Sequence, residues 1–243
     1  MSALVVLPTY QEAENIRDVL TRVRAVVPEA NILVVDDGSP DGTADLAAEV
    51  GEELGQIDVL RRAEKSGLGP AYRAGFTWGL ERGHDILVEM DADLSHDPEV
   101  LPQLIGAVTD GRADLAIGSR YVPGGAVPGW PASRRLLSQW GNRYVGLMLR
   151  MPVRDATAGF RAYHRSIIEK IGLERVRADG YGFQIEMAYE VSKAGGTILE
   201  IPITFRDRIR GESKMSPNIV TEALVLVTRW GIRDRVNRIR RAR

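Results

Sequence analysis

Short apolar segments alternate with longer amphipathic segments through the first half of the chain. The short segments show little internal alternation, which predicts strands of a parallel sheet buried on both faces; they occupy residues 3–7, 31–36, 57–60, 85–90 and 114–118. The longer segments have helical periodicity and occupy residues 14–27, 44–54, 70–82 and 98–109. Repeated strand–helix–strand units make right-handed crossovers, so this half predicts an α/β fold with a doubly wound, mostly parallel sheet flanked by helices.

The second half of the chain is less regular. It predicts, in order, a Gly- and Pro-rich loop at 124–131, a helix at 136–149, a strand at 160–164, a helix at 183–193, a strand at 197–205, a charged loop at 206–215 and a helix at 217–230. We divide the chain into a main domain, residues 1–216, and a C-terminal helical extension, residues 217–243.

Composition and charge narrow the range of functions. The 243 residues are 44% hydrophobic and carry a net charge of -1, which fits a globular protein and lacks the basic excess of a nucleic-acid binder. The absence of Cys excludes disulfides, thiolate metal sites and Cys nucleophiles. The longest apolar stretch, residues 219–228, contains Glu222 and is too short to span a bilayer. We therefore expect any activity on a lipid to take place at the membrane surface.

Polar segments follow four of the five strands predicted in the first half. They are PTYQE (8–12), DDGSPDGT (36–43), DAD (91–93) and SRY (119–121). Taken alone, DDGSPDG is equally well explained by a turn with a helix cap, and DAD by an Asx-rich turn. Ligands of doubly wound sheets bind beyond the carboxyl ends of the strands, so the occurrence of all four segments at one sheet edge favours a functional site.

Asp91 and Asp93 flank the small residue Ala92 directly after an apolar strand. Two carboxylates at this spacing suit Mg²⁺ or Mn²⁺, with water and substrate phosphates completing the octahedron. The histidines are scattered and no HExxH motif is present, which argues against a zinc hydrolase. For His96 we predict a capping or surface role, with contact to a metal ligand as the alternative.

Two nucleotide-binding motifs are missing from the sequence. Neither GxGxxG after a strand nor GxxxxGK[ST] occurs, so Rossmann dehydrogenases and P-loop NTPases lose their main support. Residues 66–69 are predicted to be a tight turn that opens a helix.

Cationic residues accumulate downstream, and they are Arg120, Arg134, Arg135, Arg208, Arg210 and Lys214. Separate surface charges are the ordinary interpretation of each. Guanidinium groups in loops are also well suited to phosphates. A carboxylate pair facing loop arginines indicates a diphosphate leaving group and a second phosphate.

Seven ordered segments resemble the dolichol-phosphate mannosyltransferase family, whose bacterial members are called polyprenol monophosphomannose synthases. They are PTYQEAENI (8–16), VVDDGSPDGT (34–43), GLGPAYRAG (67–75), MDADLSH (90–96), GSRYVPGG (118–125), DATAGFRAY (155–163) and FRDRIRGESK (205–214). The resemblance runs from about residue 4 to about residue 216. It implies an inverting family 2 glycosyltransferase of GT-A fold that uses GDP-mannose, Mg²⁺ or Mn²⁺, and a polyprenyl or dolichyl phosphate.

The same resemblance implies roles for individual residues. The nucleoside would be held by Pro8, Tyr10, Glu12, Val35 and Asp37. The diphosphate and metal would be faced by Asp91, Ala92 and Asp93, with Ser95 as a further metal ligand where some relatives have Gln. The donor phosphates would be contacted by Arg120, Arg208 and Lys214, and the acceptor phosphate by Arg120, Arg134 and Arg208. The catalytic set would be Asp91, Asp93, Arg120 and Arg208.

Two alternatives remain open at this point. A polyprenyl-phosphate glucosyltransferase or another family 2 transferase would share the motifs, because the segments at the nucleotide end say little about the sugar hydroxyls. A non-catalytic nucleotide-sugar-binding subunit of a membrane complex is the alternative from another class. In each case we expect a peripheral protein at the cytoplasmic face of a membrane, attached directly or through a membrane-anchoring partner protein.

The C-terminal residues predict how the protein attaches to a membrane. Residues 229–243 contain seven Arg and one acidic residue, and an apolar stripe is predicted from Trp230, Ile232, Val236 and Ile239. This pattern is typical of an interfacial amphipathic helix. A solvated basic tail, or a helix packed by its stripe on the main domain, is the alternative, and Gly231 weakens the helix.

Overall fold

The computed structural model describes residues 1–207 and 217–241, and of residues 217–220, 238–239 and 241 it describes only the helical backbone. The strands are β1 (Ala3–Thr9), β2 (Asn31–Asp36), β3 (Ile57–Arg61), β4 (Ile86–Glu89), β5 (Leu115–Ser119), β6 (Arg161–His164) and β7 (Ile198–Pro202). The helices are α1 (Ile16–Val26), α2 (Thr43–Leu54), α3 (Leu68–Glu81), α4 (Leu101–Thr109), α5 (Ala132–Leu149), α6 (Arg165–Ile171), α7 (Gly180–Lys193) and α8 (Pro217–Arg241).

All seven strands form one sheet in the order β3-β2-β1-β4-β6-β5-β7. Every neighbouring pair is parallel except those made by β6, which runs antiparallel to β4 and β5. Successive side chains of β1 point to opposite faces, as strand geometry requires. Leu4 and Val6 enter the core beneath α3 and α5–α8, whereas Val5 and Leu7 enter the core beneath α1, α2 and α4. The predicted doubly wound, mostly parallel sheet is confirmed.

The structure differs from the sequence prediction mainly at helix starts. Helix α3 begins at Leu68, α5 at Ala132 and α7 at Gly180, each earlier than predicted because Gly, Pro and polar residues obscure the first-turn periodicity. Helix α6 was not predicted, since its seven residues directly follow β6 and are too few to show a period. Of the charged loop predicted at 206–215, residues 208–215 lie outside the described residues.

Helix α8 packs on α5 and α7. Ala223 and Val227 are buried in the same core as α3 and α5, and the hydroxyl groups of Tyr144 and Thr228 lie 2.7 Å apart. Trp230 stacks on Tyr189 at a centroid distance of 5.9 Å. The prediction that Trp230 belongs to an exposed stripe is therefore wrong, because it follows Ala223 and Val227 by seven and three residues and shares their inward face. The domain boundary at 216/217 remains a prediction.

Gly231 lies where α8 packs tightly against the backbone of α5. A Cβ at this position would be 2.8 Å from the carbonyl oxygen of Met148, which is closer than real Cβ contacts. The glycine that weakens the helix on propensity grounds is thus the residue that permits close packing.

We expect Gly231→Ala to lower the melting temperature, because α8 must move away from α5 at a cost of about 1–3 kcal/mol, a typical overpacking penalty. The matched control is Gly141→Ala on α5, where a Cβ would meet nothing within 4 Å. The control should raise the melting temperature slightly, since Ala favours a helix over Gly by about 0.5–1 kcal/mol. Equal stabilisation of both variants in thermal unfolding would contradict the close approach.

Candidate active site

The four polar strand ends meet at one cavity of about 890 Å³. It opens at the carboxyl ends of β1, β2, β4 and β5, which contribute Tyr10, Asp37, Asp93 and Arg120 respectively. This is the edge at which doubly wound sheets bind ligands. The sequence prediction that these segments converge is confirmed.

Asp91 and Asp93 face the cavity after β4 with different exposure. The side chain of Asp91 is 34% exposed, whereas Asp93 is buried. Oδ1 of Asp93 accepts hydrogen bonds from the backbone N–H of Ser95, at 3.0 Å, and from the Ser95 hydroxyl. Leu94, between Asp93 and Ser95, has a φ of 62°. This left-handed conformation costs free energy in a residue other than glycine, and such residues cluster at functional sites. The turn therefore fixes the orientation of the Asp93 carboxylate.

The side chain of His96 packs against this turn and supports it. It is 3% exposed, its ring stacks on Phe160 at 5.0 Å, and its Nδ1 accepts the backbone N–H of Asp91 at 3.2 Å. Burial lowers the pKa of His96 to about 4, so the ring is neutral near neutral pH and Nδ1 acts as an acceptor. The predicted surface role is wrong, because the turn folds back and places the ring under Asp91.

The acidic pair fits a divalent cation that is completed by a substrate. No group of three or more His, Cys, Asp or Glu side chains that could hold a metal is found among the described residues. Mg²⁺ is commonly held by one or two carboxylates, with waters and substrate phosphates as the other ligands. Asp91 and Asp93, carboxylates at the wall of an open cavity, are a donor set of this kind. Ser95, predicted as a further ligand, binds Asp93 through its hydroxyl.

The opposite end of the cavity is formed by β1, β2 and the loop after β3. Asp37 is buried, and its Oδ1 accepts Nη1 of Arg62 at 2.6 Å, while its Oδ2 accepts the backbone N–H groups of Ser66 and Gly67 at 3.1 and 3.3 Å. Asp37 therefore holds the 62–67 loop at the cavity wall. The Lys65 ammonium from this loop lies 4.2 Å from the centroid of the Tyr10 ring.

Of the residues expected to hold a nucleoside, Pro8, Tyr10, Glu12 and Asp37 line the cavity. The side chain of Val35 does not. It is fully buried and packs in the core under α3, where the Cβ position of Gly75 lies 3.2 Å from it. Alternation along β2 places the Val35 side chain with that of Leu33 in the core under α3. Its predicted contact with the nucleoside stays a prediction.

Arg120 is held by a buried carboxylate that the sequence analysis did not single out. Asp155 is fully buried and accepts Nε of Arg120 at 2.7 Å, Nη2 at 2.6 Å and the Arg120 backbone N–H at 2.9 Å. Burial alone would lower the pKa of Arg120, but the charge and hydrogen bonds of Asp155 outweigh it and raise that pKa, so the guanidinium stays protonated. Nη2 also donates to Thr157 Oγ1 at 2.8 Å. Arg120 is thus a fixed positive charge at the cavity wall.

A more exposed cation lies at the rim of the cavity. The Arg134 guanidinium stacks over the Trp130 ring at 3.8 Å, and its Nη1 donates to Asp207 at 2.9 Å. Asp207 also accepts the indole N–H of Trp130 at 3.0 Å. Because the side chains of Arg134 and Asp207 are 38% and 52% exposed, an incoming anion can compete with Asp207 for Arg134.

The loop of residues 155–159 is fixed by an arginine that sequence reasoning missed. Arg161 is fully buried and donates to the carbonyl oxygens of Ala156, Ala158 and Gln184 at 2.8, 2.7 and 2.7 Å. It joins the loop carrying Asp155 to α7, and Gln184 also lines the cavity. Strand β6 is otherwise apolar on this face, so the sequence pattern indicated a buried strand but did not indicate that its arginine is buried as well.

The structure brings together most of the residues predicted for the site. Those that line the cavity are Pro8, Tyr10, Glu12, Asp37, Asp91, Ala92, Asp93, Ser95, Arg120 and Arg134. Arg208 and Lys214 lie outside the described residues. The lining residues that had no predicted role include Trp130, Thr157, Tyr181, Gln184 and Asp207. Trp130 lies in the Gly- and Pro-rich loop and Thr157 in the DATAGFRAY segment, but neither sequence pattern specifies a chemical role for them.

Comparison with known proteins places these features in a family. The family described as Glycosyl transferase family 2 matches residues 4–172. The undecaprenyl-phosphate mannosyltransferase of Micrococcus luteus is 52% identical over 97% of this chain and 96% of its own length. The polyprenol monophosphomannose synthase of Mycolicibacterium smegmatis is 50% identical over 98% of this chain and 89% of its own length.

The fold is also found among solved structures. The mannosyltransferase of Pyrobaculum calidifontis, solved in complex with GDP-Man and Mn²⁺, superimposes with a TM-score of 0.59 at 17% identity, covering 94% of this chain and 71% of that one. At this identity the similarity extends to the fold alone.

Proposed function

Because the chain belongs to glycosyl transferase family 2, we propose that it transfers mannose from GDP-mannose to a polyprenyl phosphate with inversion at the sugar C1. The observation that carries this proposal is 50–52% identity over nearly the whole chain to two proteins named for mannose transfer to a polyprenyl carrier. Family 2 alone would leave the sugar and acceptor open, so these relatives favour mannose and a lipid phosphate. The intact acidic pair and the cations around the cavity support an enzyme over a non-catalytic subunit.

Asp91 and Asp93 would hold Mg²⁺ or Mn²⁺ beside the donor diphosphate. A divalent cation at this position would neutralise the charge that develops on the departing GDP. The chain contributes the orientation of its ligands: Ser95 fixes the Asp93 carboxylate, and His96 fixes the backbone at Asp91. The neutral state of His96 adds no positive charge that would compete with the cation.

The acceptor needs no catalytic base on the protein. The second pKa of a phosphate monoester is about 6, so an acceptor phosphate is largely dianionic near neutral pH and its oxygen can attack the sugar C1 directly. The task of the chain is to hold two anions close together. We assign Arg120 and Arg134 to this task, since both line the cavity, with Arg208 added from the sequence.

Arg120 and Arg134 would act in different ways. The Nε and Nη2 atoms of Arg120 are committed to Asp155 and Thr157, so Arg120 supplies a preorganised charge that needs no rearrangement during the reaction. Among the described residues, Arg134 forms its ion pair with the exposed Asp207 at the rim, where a phosphate could displace this carboxylate. We therefore assign Arg134 to the incoming acceptor phosphate.

The nucleoside would lie between Tyr10 and the 62–67 loop. Tyr10 and Lys65 already face one another at 4.2 Å across this end of the cavity. Asp37, which is engaged with Arg62 and two backbone N–H groups, would shape the pocket through this loop. Pro8 and Glu12 complete the wall.

A donor panel tests the proposal. The purified chain is incubated with a polyprenyl phosphate, Mg²⁺ or Mn²⁺, and GDP-mannose, GDP-glucose, UDP-glucose or UDP-GlcNAc in separate reactions. We expect product from GDP-mannose alone, with the β configuration at C1 by NMR as inversion requires. Transfer of glucose at a comparable rate would favour the glucosyltransferase alternative, and an α product would rule out inversion.

Arg208 is expected to matter more for turnover than for nucleotide binding, because its charge is needed most when both anions are present. We predict that Arg208→Ala lowers kcat on the order of 10²-fold, as loss of a charge-stabilising donor does, with a much smaller change in the Kd for GDP. Arg112→Ala, which removes an exposed arginine before β5 at the opposite sheet edge, is the control. Unchanged turnover in Arg208→Ala would remove this residue from the mechanism.

A further inference from the structure

An apolar wall lines the cavity beside the two arginines assigned to phosphate. Trp130, Ile203 and Phe205 line the cavity, and the rings of Trp130 and Phe205 meet edge to face at a centroid distance of 5.8 Å. Ile203 is 4% exposed, and the two rings are partly buried. We call these three residues the Trp130–Phe205 wall. Neither the acidic pair nor the cations explain why the cavity carries apolar surface here.

A β-turn presents Trp130 to the cavity. The backbone N–H of Trp130 donates to the carbonyl oxygen of Val127 at 3.4 Å, which closes the turn. Between them, Pro128 is followed by Gly129 with a φ of 80°, a combination typical of a type II turn. The indole N–H of Trp130 donates to Asp207 at 3.0 Å. The backbone and the indole group therefore both hold the ring in place.

An extension of β7 presents the other two members of the wall. The backbone of Ala126 donates to the carbonyl oxygen of Ile203 at 2.9 Å and accepts the N–H of Phe205 at 2.9 Å. Alternate side chains of an extended segment share one side, and Ile203, Phe205 and Asp207 all line the cavity. The rings of Phe205 and His96 lie 5.7 Å apart. Backbone hydrogen bonds and ring packing therefore hold the wall in this position.

The wall lies against both arginines. The Cζ atom of Arg120 is 5.7 Å from the centroid of the Trp130 ring and 5.6 Å from that of the Phe205 ring. The Cζ atom of Arg134 is 3.8 Å from the centroid of the Trp130 ring. A phosphate bound by these guanidinium groups would lie beside the rings. The ester chain that it carries would therefore start against the wall.

The residues assigned to the donor lie on the other side of the acidic pair. In the order of the sheet, the nucleoside end follows β2 and β1, Asp91 and Asp93 follow β4, and the wall follows β5 and β7. A sugar against the wall would leave hydroxyl groups without hydrogen-bond partners, which costs affinity. A hydrocarbon gains free energy when it leaves water for such a surface. Position and chemistry therefore favour the acceptor chain as the occupant.

We propose that the Trp130–Phe205 wall is a binding subsite for the first isoprene unit of the acceptor, the unit next to its phosphate. The proposal deepens the proposed function and rests on it for the identity of the acceptor. Arg120 and Arg134 bind any phosphate monoester, whereas the wall adds affinity only for one that carries a hydrocarbon. The subsite thus distinguishes an isoprenyl phosphate from polar phosphate monoesters and from free phosphate.

A series of water-soluble acceptors tests the subsite. The purified chain is given GDP-mannose, Mg²⁺ or Mn²⁺, and methyl, dimethylallyl or geranyl phosphate, which carry no, one and two isoprene units. We expect kcat/KM to rise about tenfold or more from methyl to dimethylallyl phosphate, because the first unit is buried against the wall. Equal kcat/KM for these two acceptors would overturn the proposal.

Two substitutions locate the subsite. Phe205→Ala should remove most of the gain between methyl and dimethylallyl phosphate. It should leave the gain between dimethylallyl and geranyl phosphate and the Kd for GDP unchanged. Phe205→Leu retains apolar volume and should lose less of the first gain. Trp130→Leu should lose the first gain and should also weaken transfer to methyl phosphate, because it removes the ring on which Arg134 stacks.

Trp78→Leu is the matched control. Trp78 is partly buried and stacks with Arg82 at 3.9 Å, much as Trp130 stacks with Arg134. It lies near the C-terminal end of α3, whose first residue lines the cavity. The control should leave the preference among the three acceptors unchanged.

Two outcomes with Phe205→Ala would overturn the proposal. An equal loss of kcat/KM with all three acceptors would mean that the ring only supports the arginines. A higher KM for GDP-mannose with an unchanged preference among acceptors would place the sugar, and not the isoprene unit, at the wall.

A binding measurement separates this proposal from the proposed function. In saturation-transfer NMR with GDP and the metal present, we expect the vinyl and methyl protons of dimethylallyl phosphate to receive saturation from the wild-type chain and much less from Phe205→Ala. If this is seen but no acceptor is mannosylated, the proposed function fails and the subsite stands. If mannose is transferred but these protons receive no saturation, the subsite fails and the proposed function stands.

Discussion

Replacing Asp93 by Asn is expected to remove most of the metal-dependent mannose transfer while leaving the fold unchanged. The loss should be on the order of 10²–10³-fold in kcat, the magnitude seen when a group that stabilises charge in the transition state is removed. Asn retains an oxygen that can accept the backbone N–H of Ser95, so the turn after β4 should persist. Asp91→Asn should cause a smaller loss. Turnover with titrated Mg²⁺ and Mn²⁺, together with thermal unfolding, measures both effects.

Asp110→Asn is the matched control for the acidic pair. Asp110 follows the end of α4 at the opposite edge of the sheet, and its side chain is 62% exposed and pairs with the exposed Arg112. Its substitution should change neither turnover nor metal dependence. Wild-type turnover with the same metal dependence in Asp93→Asn would show that the metal is held elsewhere.

Asp155→Ala is expected to have the largest effect on stability. It leaves the buried guanidinium of Arg120 without its carboxylate, and removing one partner of a buried ion pair typically costs about 3–5 kcal/mol. It also removes the acceptor that holds the Arg120 backbone and Thr157 at the cavity wall. Urea unfolding should show the loss in the free energy of unfolding, and residual folded protein should be inactive.

The double variant Arg120→Met with Asp155→Leu separates charge from packing. Because it leaves no uncompensated buried charge, it should recover much of the stability lost in Asp155→Ala but none of the activity. A double variant as unstable as Asp155→Ala would mean that packing, and not the ion pair, dominates at this position. An active double variant would remove Arg120 from the mechanism.

The sequence pattern was sufficient to predict the sheet and the sheet edge at which the candidate site lies. Strands β1, β2, β4 and β5 are apolar runs buried on both faces, so their ends could be read from local pattern alone. Asp91 and Asp93 could be found because they directly follow such a run. Antiparallel β6 could be located, but its direction depends on pairing with β4 and β5, which residues 160–164 do not encode locally.

Features that depend on distant partners could not be predicted. Arg120 and Asp155 are 35 residues apart, and nothing in either segment indicates that one neutralises the other. Arg161 and His96 are polar residues that became buried because loop carbonyls and a backbone N–H provide their hydrogen bonds. Trp230 matched an exposed stripe in spacing, but the aromatic ring of Tyr189 on α7 determined which side of α8 it occupies.

The most direct test of the account is a single incubation of the purified chain with GDP-mannose, a polyprenyl phosphate and Mg²⁺ or Mn²⁺, followed by mass spectrometry of the extracted lipid. The account predicts a mannosylated polyprenyl phosphate with stoichiometric GDP. Its formation should depend on the metal, stop on chelation and be slower by about 10²–10³-fold in Asp93→Asn. Binding of GDP-mannose with no mannosylated lipid under any of these conditions would contradict it and would favour a nucleotide-sugar-binding subunit.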